Sequence, residues 1–219
     1  MGRFVFPTWT NSLRTVAGVG AAAGTGYVVL LVAYGASPST TDVGYGPWQP
    51  VAYSHAMHVG ELGTDCRYCH NTVETAARAA IPPTQTCLNC HATILADSAK
   101  MLPVAQSYAN GSPISWVRVH DLPDYTYFDH GAHVQRGIGC VSCHGRVDRM
   151  EVVAQVETLS MGWCLDCHRN PEPNLRPLSE VMNMAWVPNE DPTVLGKRLR
   201  GQYDIRPPAQ LTDCSICHR

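Results

Sequence analysis

His55-Ala-Met-His58, followed by Cys66-Arg-Tyr-Cys69-His70, is the stretch that decides how this chain is read. Its second part is the pattern C-x-x-C-H. The pattern recurs as Cys87-Leu-Asn-Cys90-His91, Cys140-Val-Ser-Cys143-His144, Cys164-Leu-Asp-Cys167-His168 and Cys214-Ser-Ile-Cys217-His218. The five motifs use all ten cysteines of the 219-residue chain. A His follows any given position only about one time in forty at ordinary residue usage, so five of five is not coincidence.

C-x-x-C-H is the attachment pattern of c-type haem. The two thiols form thioethers to the porphyrin vinyl groups, and the adjacent imidazole becomes the proximal axial ligand of the iron. Disulfides, zinc and a thiol-redox site are the rival uses of paired cysteines, and each leaves the recurrent His unexplained. Five covalent c-type haems are therefore expected. Cys66, Cys69, Cys87, Cys90, Cys140, Cys143, Cys164, Cys167, Cys214 and Cys217 would attach them, with His70, His91, His144, His168 and His218 as proximal ligands.

Five histidines remain: His55, His58, His120, His130 and His133. Five haems need five distal ligands, so the count closes if every iron takes two imidazoles. His55 and His58 form H-x-x-H ahead of Cys66, and His130 and His133 form H-x-x-H ahead of Cys140. A second haem motif follows each, 21 and 24 positions after the first. Residues 55–91 and 130–168 thus read as an internal repeat, a duplicated two-haem unit. Within one helical turn the two imidazoles of H-x-x-H can address two different irons. The fifth motif stands outside the repeat, and its distal ligand must come from upstream: His58, His120 or His133. Methionine is the competing sixth ligand, with Met57, Met150 and Met161 the candidates, and it would raise the potential of its haem.

Sixteen Pro, 18 Gly and only three Phe predict short elements, many turns and a weak side-chain core. Buried macrocycles would supply the missing apolar mass. The net charge of -2 gives no sign of a nucleic-acid binder.

Val16 to Tyr34 holds 19 residues with only Thr25 markedly polar. As a helix it would run about 28 Å, close to a bilayer core of about 30 Å. Arg3 and Arg14 precede it, and no Lys or Arg follows until Arg67, which places the N-terminus in the cytoplasm and the rest outside. The run is longer than the apolar region of a cleaved signal peptide. Gly20 and Gly24 make a G-x-x-x-G pair that would let another membrane helix approach. The expected organisation is an anchor over 1–35, a turn-rich linker over 36–50 and a pentahaem domain over 51–219. The expected fold class is one transmembrane helix plus a haem-packed multihaem cytochrome c domain of short helices and loops with little strand.

Between the motifs, Asn71 to Ala80, Ala92 to Val104, Ser179 to Trp186 and Thr193 to Arg200 read as helical. Asp191-Pro192 supplies a cap and first-turn proline to the last of these. Trp116 to His120 reads as extended, and Val152 to Leu159 fits strand or helix. Lys197, Arg198 and Arg200 form a basic cluster: a solvated face, or a surface for an acidic partner or haem propionates.

Arg118-Val-His120 through His130-Gly-Ala-His133, Gly137-Ile-Gly-Cys140-Val-Ser-Cys143-His144-Gly and Met161-Gly-Trp-Cys164-Leu-Asp-Cys167-His168-Arg resemble the class III (c3/c7-like) multihaem cytochromes. With five haem motifs and a leading anchor, the chain over residues 50–219 resembles the pentahaem cytochrome c subunit of alternative complex III. That resemblance implies that His55 serves the Cys66/Cys69 haem and His130 the Cys140/Cys143 haem, the second His of each pair reaching another haem. It also implies partners: an iron-sulphur subunit, integral-membrane quinol-binding subunits and other cytochrome c subunits or a soluble acceptor. Electrons would pass from quinol, in a respiratory or photosynthetic complex, to a periplasmic carrier or oxidase.

Two other functions compete. A stand-alone, membrane-anchored multihaem quinol dehydrogenase shares the anchor and motifs, but that family often shows C-x-x-C-H-x-Met at its first haem, and Thr72 stands there here. A catalytic multihaem reductase needs an open iron, often with Lys in place of the proximal His; all five motifs end in His.

Overall fold

The computed structural model describes residues 6–35 and 42–218. Arg3 and the start of the expected anchor, the first part of the expected linker (36–41) and Arg219 lie outside the described residues. The chain forms two compact units, Met1–Asp42 and Val43–Arg219.

In the first unit, a 3-10 turn over Thr8–Ser12 leads into helix α1, Leu13–Gly35. Twenty-three residues rise about 34 Å. Its side chains are exposed and apolar on every face, and the helix is long and apolar enough to cross a membrane. A cylinder without a polar face suits lipid rather than water.

The second unit is built of short helices: α2 (Cys66–Cys69), α3 (Thr84–His91), α4 (Leu102–Asn110), α5 (His130–Val134), α6 (Val141–His144), α7 (Met161–Arg169), α8 (Pro192–Gln202), α9 (Pro208–Leu211) and α10 (Cys214–Cys217). A π-helical turn spans Ala56–Glu61, starting from His55. Among the described residues there is no named strand, only the isolated bridges Thr126↔His218 and Ile138↔Leu175.

Side-chain packing is thin, as the composition predicts. Two small apolar clusters are buried, Val73 with Val134 and Val181, and Leu175 with Leu195 and Leu199. The second cluster fixes α8, capped by Asp191, whose carboxylate accepts from the N–H groups of Thr193 and Val194. Helix α8 lies on the 3-10 turn Glu172–Asn174, and Gly196 is the point of contact: a Cβ there would run into the carbonyl of Glu172.

The two H-x-x-H elements interlock. The N–H of Ala56 donates to Met150 O (3.0 Å), and Gly60 sits against the carbonyl of Asp148. Conversely, the N–H groups of His130 and Gly131 donate to Ala77 O and Ala76 O (3.2 and 3.1 Å). Gln135 Nε2 donates to Glu74 O (2.7 Å). Each H-x-x-H element thus packs on the segment just after the other's C-x-x-C-H.

This exchange explains the main departure from the expected elements. Residues 71–80 form turns, not a helix. The carbonyls of Glu74, Ala76 and Ala77 serve α5 instead of a helical ladder, and the Thr72 hydroxyl bridges Arg78 O and Ala80 N. The helix expected over Ala92 to Val104 starts later, at Leu102, and is stopped by left-handed Gly111 (φ 61°). Over Ser179 to Trp186 only a 3-10 turn at Leu178–Glu180 forms, because buried Arg176 takes the carbonyls of Glu180 and Asn183. Trp116 to His120 pairs with no strand; the backbone of Val117 is held by the Gln49 side chain. Val152 to Leu159 is neither strand nor helix, and Gln155 pairs with Gly44 and Tyr45.

Candidate haem sites

Each C-x-x-C-H motif lies on one helical turn: α2, α3, α6, α7 and α10. Residues three apart share a helix face, so each turn presents both thiols together. Three turns are capped by the residue ahead of them. Asp65 accepts from Arg67 N, Ser160 from Trp163 N and Asp213 from Ser215 N. Arg67 also clamps Asp65 through Nε and Nη2 (2.9 and 2.7 Å). Asp65-Cys66 and Asp213-Cys214 are visible in the sequence as an acidic cap directly before the motif, a signal the motif count alone does not use.

The histidines meet in pairs. His58 faces His91 with ring centroids 6.1 Å apart, His130 faces His144 at 6.2 Å, and His133 faces His168 at 6.1 Å. Two imidazoles on opposite sides of one metal, each bonded at about 2 Å, put their ring centroids about 6 Å apart. Each pair joins one H-x-x-H histidine to one C-x-x-C-H histidine.

The outer nitrogens support the same geometry. Nδ1 donates to a backbone carbonyl in His58 (Ser54, 2.8 Å), His70 (Ala80, 2.7 Å), His91 (Ile94, 2.9 Å) and His130 (Ala77, 2.9 Å). It does so also in His133 (Asp129, 2.7 Å), His168 (Leu211, 2.9 Å) and His218 (Tyr125, 3.2 Å). A carbonyl only accepts, so Nδ1 carries the proton and Nε2 keeps its lone pair for a metal.

Two further histidines have a buried nitrogen without a hydrogen-bond partner, His55 at Nδ1 and His120 at Nε2. Burial, then the charges of His70 and His58, pushes His55 down to about 4. Burial, then His120 and His130, pushes His144 down to about 3. Neutral imidazoles are the ligand form.

Among the described residues no three His, Cys, Asp or Glu side chains converge on one point. A bare ion finds only pairs, whereas a porphyrin brings its own four nitrogens and needs a pair. The residues therefore fit haem.

One aromatic ring touches both members of each H-x-x-H. Tyr53 stands edge-on to His55 (4.8 Å) and stacks on His58 (4.3 Å); Phe128 stands edge-on to His130 (4.7 Å) and stacks on His133 (4.6 Å). The sequence shows these two aromatics in matching places, two residues before each H-x-x-H, but not that they hold the imidazoles.

The thiols have neighbours across motifs. Burial raises the Cys69 thiol, and Cys87 next to it adds to the rise. Cys140 is pushed up to about 11 by burial and then Cys66, and Cys143 to about 12 by burial and then Cys167. Cys164 is raised by burial and then Cys217.

Not every expected ligand meets a partner. The ring contacts of His120 are with His144, edge-on at 4.4 Å, too close for one metal to lie between them; those of His218 are with Tyr125 at 5.9 Å. Of the methionines, Met161 is 66% exposed. Met182, which the sequence did not single out, puts its sulfur 3.6 Å from Cys140 Sγ. The basic cluster on α8 is partly neutralised within the chain, Arg198 by Glu190 (2.6 Å) and Arg200 by Glu172 (2.5 Å).

A chain with paired imidazoles and single-turn C-x-x-C-H helices has the build of a multihaem cytochrome c, and comparison with known proteins supports that class. No family model matches. Over 97 residues the chain is 34% identical to the multihaem cytochrome c subunit of the menaquinone reductase of Nitratidesulfovibrio vulgaris (strain Hildenborough). The match covers 44% of this chain and 45% of that protein, so the chain spans less than half of the relative's length in the match. The likeness is to a multihaem cytochrome c.

Proposed function

We propose that the chain relays single electrons through five c-type haems, bound by the ten cysteines and each held between two axial ligands. The observation that carries this reading is the set of three imidazole pairs at 6.1–6.2 Å. On it, His58 and His91, His130 and His144, and His133 and His168 each share an iron. His55, half-buried and near His70, serves the first motif, as the family resemblance implies. By count, His120 is the histidine left over as a distal ligand, and its ring lies against His144 rather than against His218. Residues 55–91 and 130–168 are a duplicated two-haem unit, and the matching rings of Tyr53 and Phe128 support the duplication.

Bound haem supplies an iron that gains and loses one electron. The chain's part is to hold it still. The three imidazole pairs would hold an iron between them and leave it no position for a substrate. The carbonyls on Nδ1 fix the tautomer and the ring orientation. Tyr53 and Phe128 each pack on both imidazoles of one H-x-x-H and help to fix their rings.

The finer reading is the pentahaem subunit of a quinol-oxidising alternative complex III. Its partners would be an iron-sulphur subunit, quinol-binding membrane subunits and a further cytochrome or soluble acceptor. Support comes from the five motifs and helix α1, while the relative, named for menaquinone reduction, supports only the coarser reading of a quinone-linked multihaem cytochrome c. Arg3 and Arg14, ahead of the apolar run Val16 to Tyr34, support a single-pass bacterial inner-membrane anchor with the haem unit on the periplasmic side. Purification from native membranes tests this. The expected result is a chain five haem masses above 23.9 kDa, with iron-sulphur and quinol-binding subunits in the same complex. A chain that purifies alone and turns over quinol by itself would instead be a stand-alone quinol dehydrogenase.

A further inference from the structure

Resting on the five-haem reading, we infer that the C-x-x-C-H motifs stand in one unbranched row in the order second, first, third, fourth, fifth. The ends of the row, where a partner's redox group comes closest, are then the second and fifth motifs, not the first and last in sequence.

Each link has its own contact. The second and first motifs are joined inside their helical turns, where Asn89 Nδ2 donates to Tyr68 Oη (3.0 Å). They are joined again through Tyr53, which touches both His55 and His58, the latter facing His91. The first and third motifs are joined by the interlock. The H-x-x-H element ahead of each packs on the segment after the other: Ala56 N to Met150 O, His130 N to Ala77 O.

The third and fourth motifs are joined through Phe128. It touches His130, which faces His144, and His133, which faces His168. The fourth and fifth are joined where His168 Nδ1 donates to Leu211 O (2.9 Å), three residues before Cys214, and where α7 packs on α9.

The swap of the first two motifs follows from this geometry. Reciprocal packing makes the first motif of each half meet the first of the other, so the second of each half is pushed outward. The row 2–1–3–4 is what two interlocked copies of one two-haem unit produce, and the fifth motif adds to the side of the fourth. Exposure agrees: Cys90 and Cys214 are the two exposed cysteines of the ten, and they belong to the second and fifth motifs.

Iron positions in the haem-loaded, full-length protein test the order, by anomalous diffraction at the iron edge or a cryo-EM map. The expected result is five irons in a row, with those beside His91 and His218 at the ends. The iron beside His144 would have those beside His70 and His168 as its two nearest neighbours. Should the iron beside His91 lie nearer to the one beside His144 than the iron beside His70 does, the inferred order is wrong while the relay stands. Fewer than five irons would instead remove the five-haem reading on which the order rests.

Discussion

His58 and His91 face each other across 6.1 Å, and each has its Nδ1 proton bound to a backbone carbonyl, of Ser54 and of Ile94. Both Nε2 lone pairs are therefore free. The account makes His58 the distal ligand of the second motif. His58→Ala should leave all five haems attached, because the thioethers do not depend on it, and should turn one haem in five high-spin. Electron paramagnetic resonance of the oxidised variant reads this directly. An unchanged low-spin spectrum would show that His58 binds no iron.

His120 is the sharper case, since its ring lies edge-on to His144 at 4.4 Å. His120→Ala should also yield one high-spin haem, and its identity follows from combining the change with Cys214→Ala/Cys217→Ala. If His120 serves the fifth motif, the high-spin signal disappears in the combined variant. A signal that persists there would move His120 to another iron.

Phe128 touches His130 and His133 together, so its loss should disturb two haems rather than one. An aromatic contact adds about 0.5–1.5 kcal/mol beyond its buried area. Phe128→Ala, at a half-buried ring, should lower stability by about 1–3 kcal/mol and broaden the signals of the third- and fourth-motif haems, leaving the first and second sharp. Thermal unfolding and low-temperature spectra check the two halves of this prediction.

Helix α8 contains two glycines with opposite surroundings. A Cβ at Gly196 would meet the backbone of Glu172, whereas nothing lies within 4 Å of one at Gly201. Gly196→Ala should cost about 1–3 kcal/mol by overpacking. Gly201→Ala should add about 0.5–1 kcal/mol through helix propensity. Melting curves of both variants give the signs.

Glu172 is buried and paired with Arg200 at 2.5 Å. Burial raises its carboxyl, but its own backbone N–H and the Arg200 guanidinium outweigh that and leave it below the ordinary value. The folded form then binds the proton less readily than the unfolded one. The stabilisation is present above the unfolded carboxyl's pKa and is lost as pH falls through the folded one. Glu172→Gln should melt lower than the parent at neutral pH, and the gap should close as the solution is acidified. A gap independent of pH would mean that the carboxylate charge contributes nothing.

The candidate haem site was legible where it is local: C-x-x-C-H sets two thiols and an imidazole on, or directly beside, one short helix. H-x-x-H ahead of Cys66 and Cys140 is local in the same way, each pair falling on one short helical element. Helix α8 was legible too, since Asp191-Pro192 marks its start. Residues 71–80 were not: helix propensity there yields to carbonyls needed by His130, Gly131 and Gln135, more than fifty positions away. The partners of His58 and His133 were likewise hidden: His91 and His168 lie further along the same half, and only the packing of that half brings each pair of rings together.

The state of the irons in the isolated, fully oxidised protein tests the relay most directly. Five haems per chain and an entirely low-spin electron paramagnetic resonance spectrum, unaltered by added cyanide or nitrite, is the predicted result. A high-spin haem that binds such a ligand would contradict it, because an open iron is a place for substrate and not a step in a wire.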